Sequence, residues 1–281
     1  MSRPPLSAVV TTFNNAATLD ACLASLAFAD EVLVLDSGSS DGSIEIARRR
    51  GARVLAEPFK GYGPQKQSAI DQALHDWVLL LDADEALTAD GALCVHAELA
   101  APQASGYDLP RCERMFWRWQ HPWSKHNLHL RLFDRRVHRM GDDPVHAAPR
   151  RDRGRVLRLD ALLLHQGEID IASKVDRINR YSSGLAGGRS RRGASLLLKL
   201  RLLAYPPLVL IKHWLLKRQF LNGWAGWIAS VSMAYHAFLK DAKALECIEQ
   251  ARDDGSVARR FAQQAQGEEA DRERGGDQHA P

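Results

Sequence analysis

The 281-residue chain lacks most of the features that announce a function on their own. Its four cysteines, Cys22, Cys94, Cys112 and Cys247, are scattered, and no two stand at CxxC spacing. That argues against a cysteine zinc site and against thioredoxin-type chemistry, and it makes a reducing compartment the simpler setting. The N-terminal stretch MSRPPLSAVV has no long apolar core followed by a cleavage site, so no secretory signal is expected. There is no internal repeat. The formal net charge is only +4. The basic residues are dispersed without any known nucleic-acid module, so nucleic acid is not an expected partner.

What is present is enough apolar sequence, 45%, for one large domain or a domain with an appendage. Charge is unevenly placed. The first hundred residues are acidic to neutral, whereas Arg111 to Arg218 is rich in Arg, Lys and His. A basic second half points to an anionic partner such as phosphate or lipid headgroups.

The first hundred residues alternate between two patterns. LSAVVTTF, EVLVLD, ARVLAE and WVLLLD are short continuous apolar runs, as strands covered on both faces require. Between them lie segments with helical spacing: Leu19, Cys22, Leu23 and Leu26, then SIEIARRRG with its stop at Gly51, then PQKQSAIDQAL. This alternation predicts a Rossmann-like α/β fold with a mostly parallel sheet flanked by helices. After Gly106 the pattern loosens. YDLPR, LHLRLFDRR and VLRLDALLLHQ read as further strands of a mixed extension, and PRRDRGRVLR as an exposed hairpin. From Ile169 the chain reads as helical, and beyond Gly255 it is polar enough to be disordered. The expected organisation is a sheet domain over 1–168, a helical region over 169–254 that suits a membrane interface, and a tail over 255–281.

Two strand ends carry chemistry. In VLVLDSGSSDGS, residues 32–43, Asp36 ends a buried strand and a second acid, Asp41, follows. One acid or serine suffices to cap the next helix. A carboxylate at the strand tip can also accept a hydrogen bond from a base N–H or a ribose hydroxyl, and ligands of open α/β sheets bind at that edge. In LLLDADE, Asp82 and Asp84 point to one side of an extended strand. Two carboxylates so close repel unless a proton or cation lies between them, and hard oxygen ligands suit Mg²⁺ or Mn²⁺ bridging to a phosphate. The alternative is a solvated acidic loop, which fits poorly against a buried strand. Together the two ends describe a nucleoside diphosphate site.

VVTTFNNAATL, EVLVLDSGSSDGS, GPQKQSAI and WVLLLDADEAL, in this order and spacing, resemble the inverting nucleotide-sugar glycosyltransferases of family 2, which have the GT-A fold. The resemblance covers residues 6 to about 100. LHLRLFDRR, DDPVHAAP, ALLLHQGEIDIASKVDRINRYS and the aromatic C-terminal helices are similar to a narrower branch that includes lipopolysaccharide core glucosyltransferases. The resemblance implies that Thr11, Phe13 and Asn14 line the base pocket, Asp36 binds uracil or ribose, and Lys66 lies near the nucleotide. It implies that Asp82 contacts the ribose or a metal-bound water and that Asp84 binds the metal. Gln67 stands where the family usually has Asn. A base must take the acceptor's proton. The branch has a His-Glu pair after the Val of this region, but here GDDPVHAAP puts Ala147 in place of the acid. Asp143 is the first choice, with Asp142 and His146 as local substitutes; the two acids could equally cap a turn before Pro144.

Other residues have two readings each. His165 ends the apolar run ALLLH; it either completes a metal shell, as a late His does in some GT-A enzymes, or is a core histidine bonded to backbone. His121, His126, His129 and His138 match no metal spacing. Arg131 and Arg135–Arg136 either face an anionic acceptor or lie on a solvated strand face. Trp123, in a loop crowded with Trp117 and Trp119, is a further acceptor candidate. In the C-terminal region Phe220, Trp224, Trp227, Val231, Tyr235 and Phe238 form a stripe beside Lys199, Arg201, Lys212, Lys217 and Arg218. That suits an anionic membrane surface, with the protein cytoplasmic or peripheral on the cytosolic face of the inner membrane. It equally suits a helical hairpin packed on a domain or partner.

The activity expected is therefore metal-dependent sugar transfer from a nucleotide-sugar, with a UDP-hexose as donor and a saccharide or lipid-linked acceptor. Two rivals remain. A nucleotide-sugar or membrane-binding protein that had lost its base would keep the same motifs. A haloacid-dehalogenase-type phosphatase also has a DxD strand. Here, however, the DxD falls on the fourth strand, Ala86 stands where Thr or Val is typical, and DSGSSDGS would have no role.

Overall fold

The computed structural model describes residues 3–141, 147–168, 170–186 and 195–276. The chain forms two compact units, Met1–Ile169 and Asp170–Pro281.

In the first unit the four apolar runs become β1 (Leu6–Thr12), β2 (Glu31–Asp36), β3 (Arg53–Ala56) and β4 (Trp77–Asp82). The intervening segments become α1 (Ala16–Ala24), α2 (Ser43–Arg49) and α3 (Tyr62–Asp71). The runs are continuous because both faces are covered. Leu6, Ala8 and Val10 of β1 and Leu79 and Leu81 of β4 pack on one side with Leu19, Cys22 and Leu23 of α1. Val9, Val78 and Leu80 pack on the other with Ala69 and Ile70 of α3. β1 pairs in parallel with both β2 and β4, and β2 with β3, so the order is β3-β2-β1-β4.

Beyond β4 the sheet is mixed. β5 (Glu85–Leu87) and α4 (Ala89–Leu99) follow, then β6 (Gly106–Met115), β7 (Arg118–Trp119), β8 (Asn127–Asp134), β9 (Val156–Arg158) and β10 (Leu163–Glu168). The order continues β8-β6-β10-β5, with β7 and β9 paired to β6, making ten strands among the described residues. β8 runs antiparallel to β4 and β6, and β10 runs parallel to β6. The expected strand VLRLDALLLHQ is two strands, interrupted at residues 159–162. PRRDRGRVLR is not a hairpin: β9 joins β6 in parallel. β5 was not legible as a strand, since three residues carry no period; it is held in place by antiparallel pairing to β10.

In the second unit α5 (Ile171–Ala186), α6 (Ser195–Ile211) and α7 (Gly223–Gly276) are joined by a π-helical turn (Lys212–Leu216) and a 3-10 turn (Gln219–Asn222). Pro206 and Pro207 lie inside α6, where each removes a backbone donor. α7 packs on α5 and α6. Leu198, Ala244 and Ile248 form a small buried cluster, and Lys243 Nζ donates to Asn179 and to Ser182 and Ser183. α7 continues through the polar segment after Gly255 to Gly276. No helix among the described residues is long and apolar enough to cross a membrane.

Candidate active site

Sheet order brings the two chemical strand ends together. In the parallel register Thr12 lies opposite Asp36 on one side of β1, and Thr11 lies opposite Asp82 on the other. Asp36 and Asp82 therefore flank the tip of β1, with their backbones about 10 Å apart at ordinary strand spacing.

Asp36 is 1% exposed. Its Oδ2 accepts from the N–H groups of Gly38 (2.8 Å) and Ser39 (2.9 Å), which closes the turn after β2. Gly38 and Gly42 both have left-handed backbone, φ 99° and 88°, and glycine adopts it without strain. Asp36 Oδ1 is buried with no hydrogen-bond partner. A buried unpartnered acceptor is costly unless something donates to it; one oxygen of Asp36 builds the turn, and the other has no donor among the described residues.

The second acid of the motif has a different job. Asp41 accepts from the backbone and hydroxyl of Ser43 and from Ala16 N–H. The Ser43 hydroxyl bond, followed by the Ala16 bond, holds its carboxyl below the usual carboxylate range. Asn14 joins the same lacing. It is left-handed (φ 54°), its N–H donates to Ser39 Oγ, and its Oδ1 accepts from Ser40 N–H. The loops after β1 and β2 are thus tied to each other. Thr11 is the penultimate residue of β1, and Phe13, just past its end, is 57% exposed.

On the other side of β1 the structure assembles a chain of alternating charges. Lys66 Nζ contacts Asp82 Oδ1. Asp82 Oδ2 accepts from Arg131 Nη2 at 2.7 Å, and the same nitrogen donates to Glu85 Oε1 at 2.6 Å. Arg111 Nη1 reaches that Glu85 oxygen at 3.0 Å, and its Nε donates to Glu113 Oε1 at 2.9 Å. Glu113 Oε2 lies 2.5 Å from His165 Nδ1, and His165 Nε2 lies 3.3 Å from Asp84 Oδ2. Four basic and four acidic groups alternate from Lys66 to Asp84. Burial pushes the Asp82 carboxyl up, but the Arg131 and Lys66 charges overcome it and hold it well below its ordinary value. Burial likewise raises Glu113, yet the His165 bond and Arg111 bring it down to about 2. Burial disfavours charge on His165, but Asp84 and Glu113 lift it to about 9. Between two carboxylates, the protonated form of His165 is favoured.

Among the candidates, Asp36, Lys66, Asp82, Asp84 and His165 gather along this edge of the sheet. Arg131 is not on an open strand face; it is 5% exposed and bonded to Asp82 and Glu85. Arg135 donates to the carbonyls of Ile70, Asp71 and Ala73. Trp123 is 74% exposed and touches His121. Gln67 Oε1 accepts from Met140 N–H at 2.8 Å, tying α3 to the chain beyond β8. Asp142, Asp143 and His146 lie outside the described residues. His129 is neutral: burial, helped by Arg111 and Arg131, pushes it down to about 3. Sequence reasoning gave no role to Glu85, Arg111 or Glu113. Only the odd-numbered alternation of β6, which places Arg111 and Glu113 on one face, hinted at them.

Comparison with known proteins fits this geometry. A family model described as "Glycosyl transferase family 2" matches residues 7–153. The chain belongs to glycosyltransferase family 2. The transferase is 28% identical over 256 residues to an uncharacterized glycosyltransferase of Rickettsia felis, covering 86% of this chain and 90% of that one. It is 27% identical over 249 residues to the lipopolysaccharide core biosynthesis glycosyltransferase LpsC of Rhizobium meliloti, covering 85% and 91%. Among solved structures, glucosyl-3-phosphoglycerate synthase of Mycobacterium tuberculosis, in complex with Mn²⁺ and UDP-glucose, is 23% identical with a TM-score of 0.34. That match covers 40% of the transferase and 44% of the synthase. S. aureus TarS (residues 1–349) is 13% identical with a TM-score of 0.42, covering 89% and 92%.

As a nucleotide-sugar glycosyltransferase the protein needs a place for a diphosphate. Among the described residues no group of three or more His, Cys, Asp or Glu is placed to hold a metal ion by itself. The donor set still fits a divalent cation of the kind that leaves most positions to water and phosphate. Asp84 offers a carboxylate 32% exposed, with His165 Nε2 beside it. His165 has its other nitrogen on a carboxylate, as metal-binding histidines usually do. To act as a ligand it must first give up its proton. Asp82 is engaged on both carboxylate oxygens, by Lys66 and by Arg131.

Proposed function

We propose that this transferase moves a hexose from a uridine diphosphate sugar to a hydroxyl of a saccharide or lipid-linked acceptor. The reaction proceeds with inversion, in cell-envelope glycan synthesis of the lipopolysaccharide core type. The observation that carries the reading is the pairing, across the tip of β1, of a buried unpartnered Asp36 oxygen with the Asp84–His165 pair. One side can read a nucleoside while the other holds a cation. The similarity to LpsC supports the acceptor class.

In this reading Asp36 Oδ1 accepts the base N–H or a ribose hydroxyl, Thr11 and Phe13 line the base pocket, and Asn14 fixes the loop. Lys66 and Arg131 keep Asp82 ionised at the nucleotide. Asp84 and His165 Nε2 would hold Mg²⁺ or Mn²⁺, which supplies positive charge to the departing diphosphate. The acceptor oxygen forms its bond to the anomeric carbon as the bond to the diphosphate breaks, and a carboxylate takes the hydroxyl proton. Asp143, with Asp142 and His146 as neighbours, fills that role in sequence order. In this reading Trp123, exposed to solvent, stacks on a sugar of the acceptor.

The test is a panel of nucleotide sugars with Mn²⁺. The expected result is slow release of UDP from one UDP-hexose, accelerated by a lipid-sugar acceptor. Binding of UDP with no turnover on any acceptor would instead identify a binder that has lost its base. Absence of binding to every UDP-sugar would end the proposal.

The second unit supports a membrane-surface location. Between Asp176 and Asp241 the sequence has eleven Lys or Arg and no Asp or Glu. Leu203 (78% exposed), Leu216 (71%) and Trp224 (74%) stand out to solvent there. Apolar side chains beside a run of one charge sign suit anionic lipid headgroups. In detergent-free flotation the protein should rise with phosphatidylglycerol-containing liposomes and not with neutral ones. Leu203→Ser with Trp224→Ser should leave most of it at the bottom. Wild-type protein that stays down with anionic liposomes would show that these side chains pack against protein.

A further inference from the structure

We infer that Glu113 is a positioning residue, which holds the imidazole of His165 so that its Nε2 faces Asp84. This rests on the proposed cation site, in which Glu113 itself touches neither nucleotide nor sugar.

The geometry is specific. Glu113 and His165 are register partners on the parallel strands β6 and β10, so their side chains leave the same face of the sheet side by side. Glu113 Oε2 meets His165 Nδ1 at 2.5 Å. Its other oxygen is already fixed by Arg111 Nε at 2.9 Å, and Arg111 is fixed in turn by Glu85, whose side chain is wholly buried. Glu113 is therefore clamped from behind rather than free to follow the ring. On the other side Gly167 lies in the irregular stretch of β10 between His165 and Glu168. A Cβ there would overlap the imidazole, so the ring occupies space that any other residue would fill. With Nδ1 engaged, Nε2 is the nitrogen left for Asp84, 3.3 Å away. A carboxylate behind a histidine fixes the orientation of its ring and raises its strength as a ligand. A purely structural ion pair between β6 and β10 would use the same contact, but it would have no effect on cation affinity.

The experiment is Glu113→Gln in the full chain, which keeps the size of the side chain and removes its charge. Titration calorimetry gives the Mn²⁺ affinity in the presence of UDP, and the UDP affinity without metal. Proton NMR of the metal-free protein follows the His165 ring N–H, assigned by its loss in His165→Gln. The expected result is a fall in Mn²⁺ affinity of about 10- to 100-fold, unchanged metal-free UDP affinity, and loss of the downfield, exchange-protected His165 resonance. Glu113→Asp, one methylene shorter, is expected to fall between wild type and Glu113→Gln; it serves as the test if the Gln variant does not fold. Mn²⁺ affinity within twofold of wild type, with the His165 resonance intact, would overturn the inference. Wild-type protein that binds no Mn²⁺ with UDP would overturn the proposed function instead, and the His165 resonance would still decide whether Glu113 holds the ring.

Discussion

Asp84→Ala is expected to stay folded and to lose Mn²⁺-dependent UDP binding by on the order of a thousandfold, as removal of a cation worth several kcal/mol requires. The two halves of that result have separate causes. Asp84 sits in the turn between β4 and β5, and its backbone carbonyl accepts from Gln166 N–H. That bond survives the substitution. Its side chain is 32% exposed and contacts His165, and it is not part of the apolar core. Truncation therefore opens no cavity, and the thermal midpoint should move by only a few degrees, in the range of ordinary surface changes. The cation, by contrast, loses the carboxylate proposed to hold it. His165 is then left with Glu113 alone and cannot replace an anionic oxygen ligand. Asp36→Asn gives the complementary result. It should weaken UDP with and without metal alike, because the oxygen concerned reads the nucleoside rather than the diphosphate. An Asp84→Ala protein with wild-type Mn²⁺-dependent affinity would move the cation site elsewhere.

How much of this was legible beforehand follows from what each residue's neighbours are. The first strands could be read because β1, β2 and β4 are buried on both faces, and a run of Val and Leu that ends in Asp, as in β2 and β4, has few other meanings. Asp36 and Asp84 could be read because they interrupt such runs. Asp41 and Asn14 could not be sorted from them: the same residue types that bind a ligand also lace loops, and only the hydrogen bonds to Ala16 and Ser40 separate the two uses. Arg131 read as an acceptor contact or as a solvated cation because its strand is rich in arginine. Its partner Glu85 is forty-six residues away in sequence, and pairing across that distance depends on how β4, β8, β6, β10 and β5 are ordered. That order, with its antiparallel insertion of β8 and its three-residue β5, is set by long-range contacts with no local period. The same reason hid Glu113 behind His165.

Arg131→Met is expected to destabilise the fold by about 3–5 kcal/mol, the range for removing one partner of a buried ion pair. Met matches the aliphatic stem, so packing is largely kept and the loss is electrostatic. Arg131 is 5% exposed and its one Nη2 serves two carboxylates, Asp82 at 2.7 Å and Glu85 at 2.6 Å. Lys66 still reaches Asp82 and Arg111 still reaches Glu85, which limits the loss but does not cancel it. The exposed pair Arg50–Asp20 supplies the contrast: it is as short, yet Arg50→Ala should leave stability nearly unchanged, since solvent screens both groups. Urea denaturation measures the difference, and its pH dependence identifies the cause. In the wild type Asp82 is held below its unfolded value, so its contribution is present above the ordinary carboxylate range and disappears as pH falls through the folded value. Without Arg131, burial is opposed by Lys66 alone and the carboxyl takes up a proton at higher pH. The gap between wild type and variant should therefore be widest near neutrality and should narrow toward pH 4. A gap that stays constant over that range would mean that Arg131 acts through packing, and the chain of charges would not be what holds Asp82 in place.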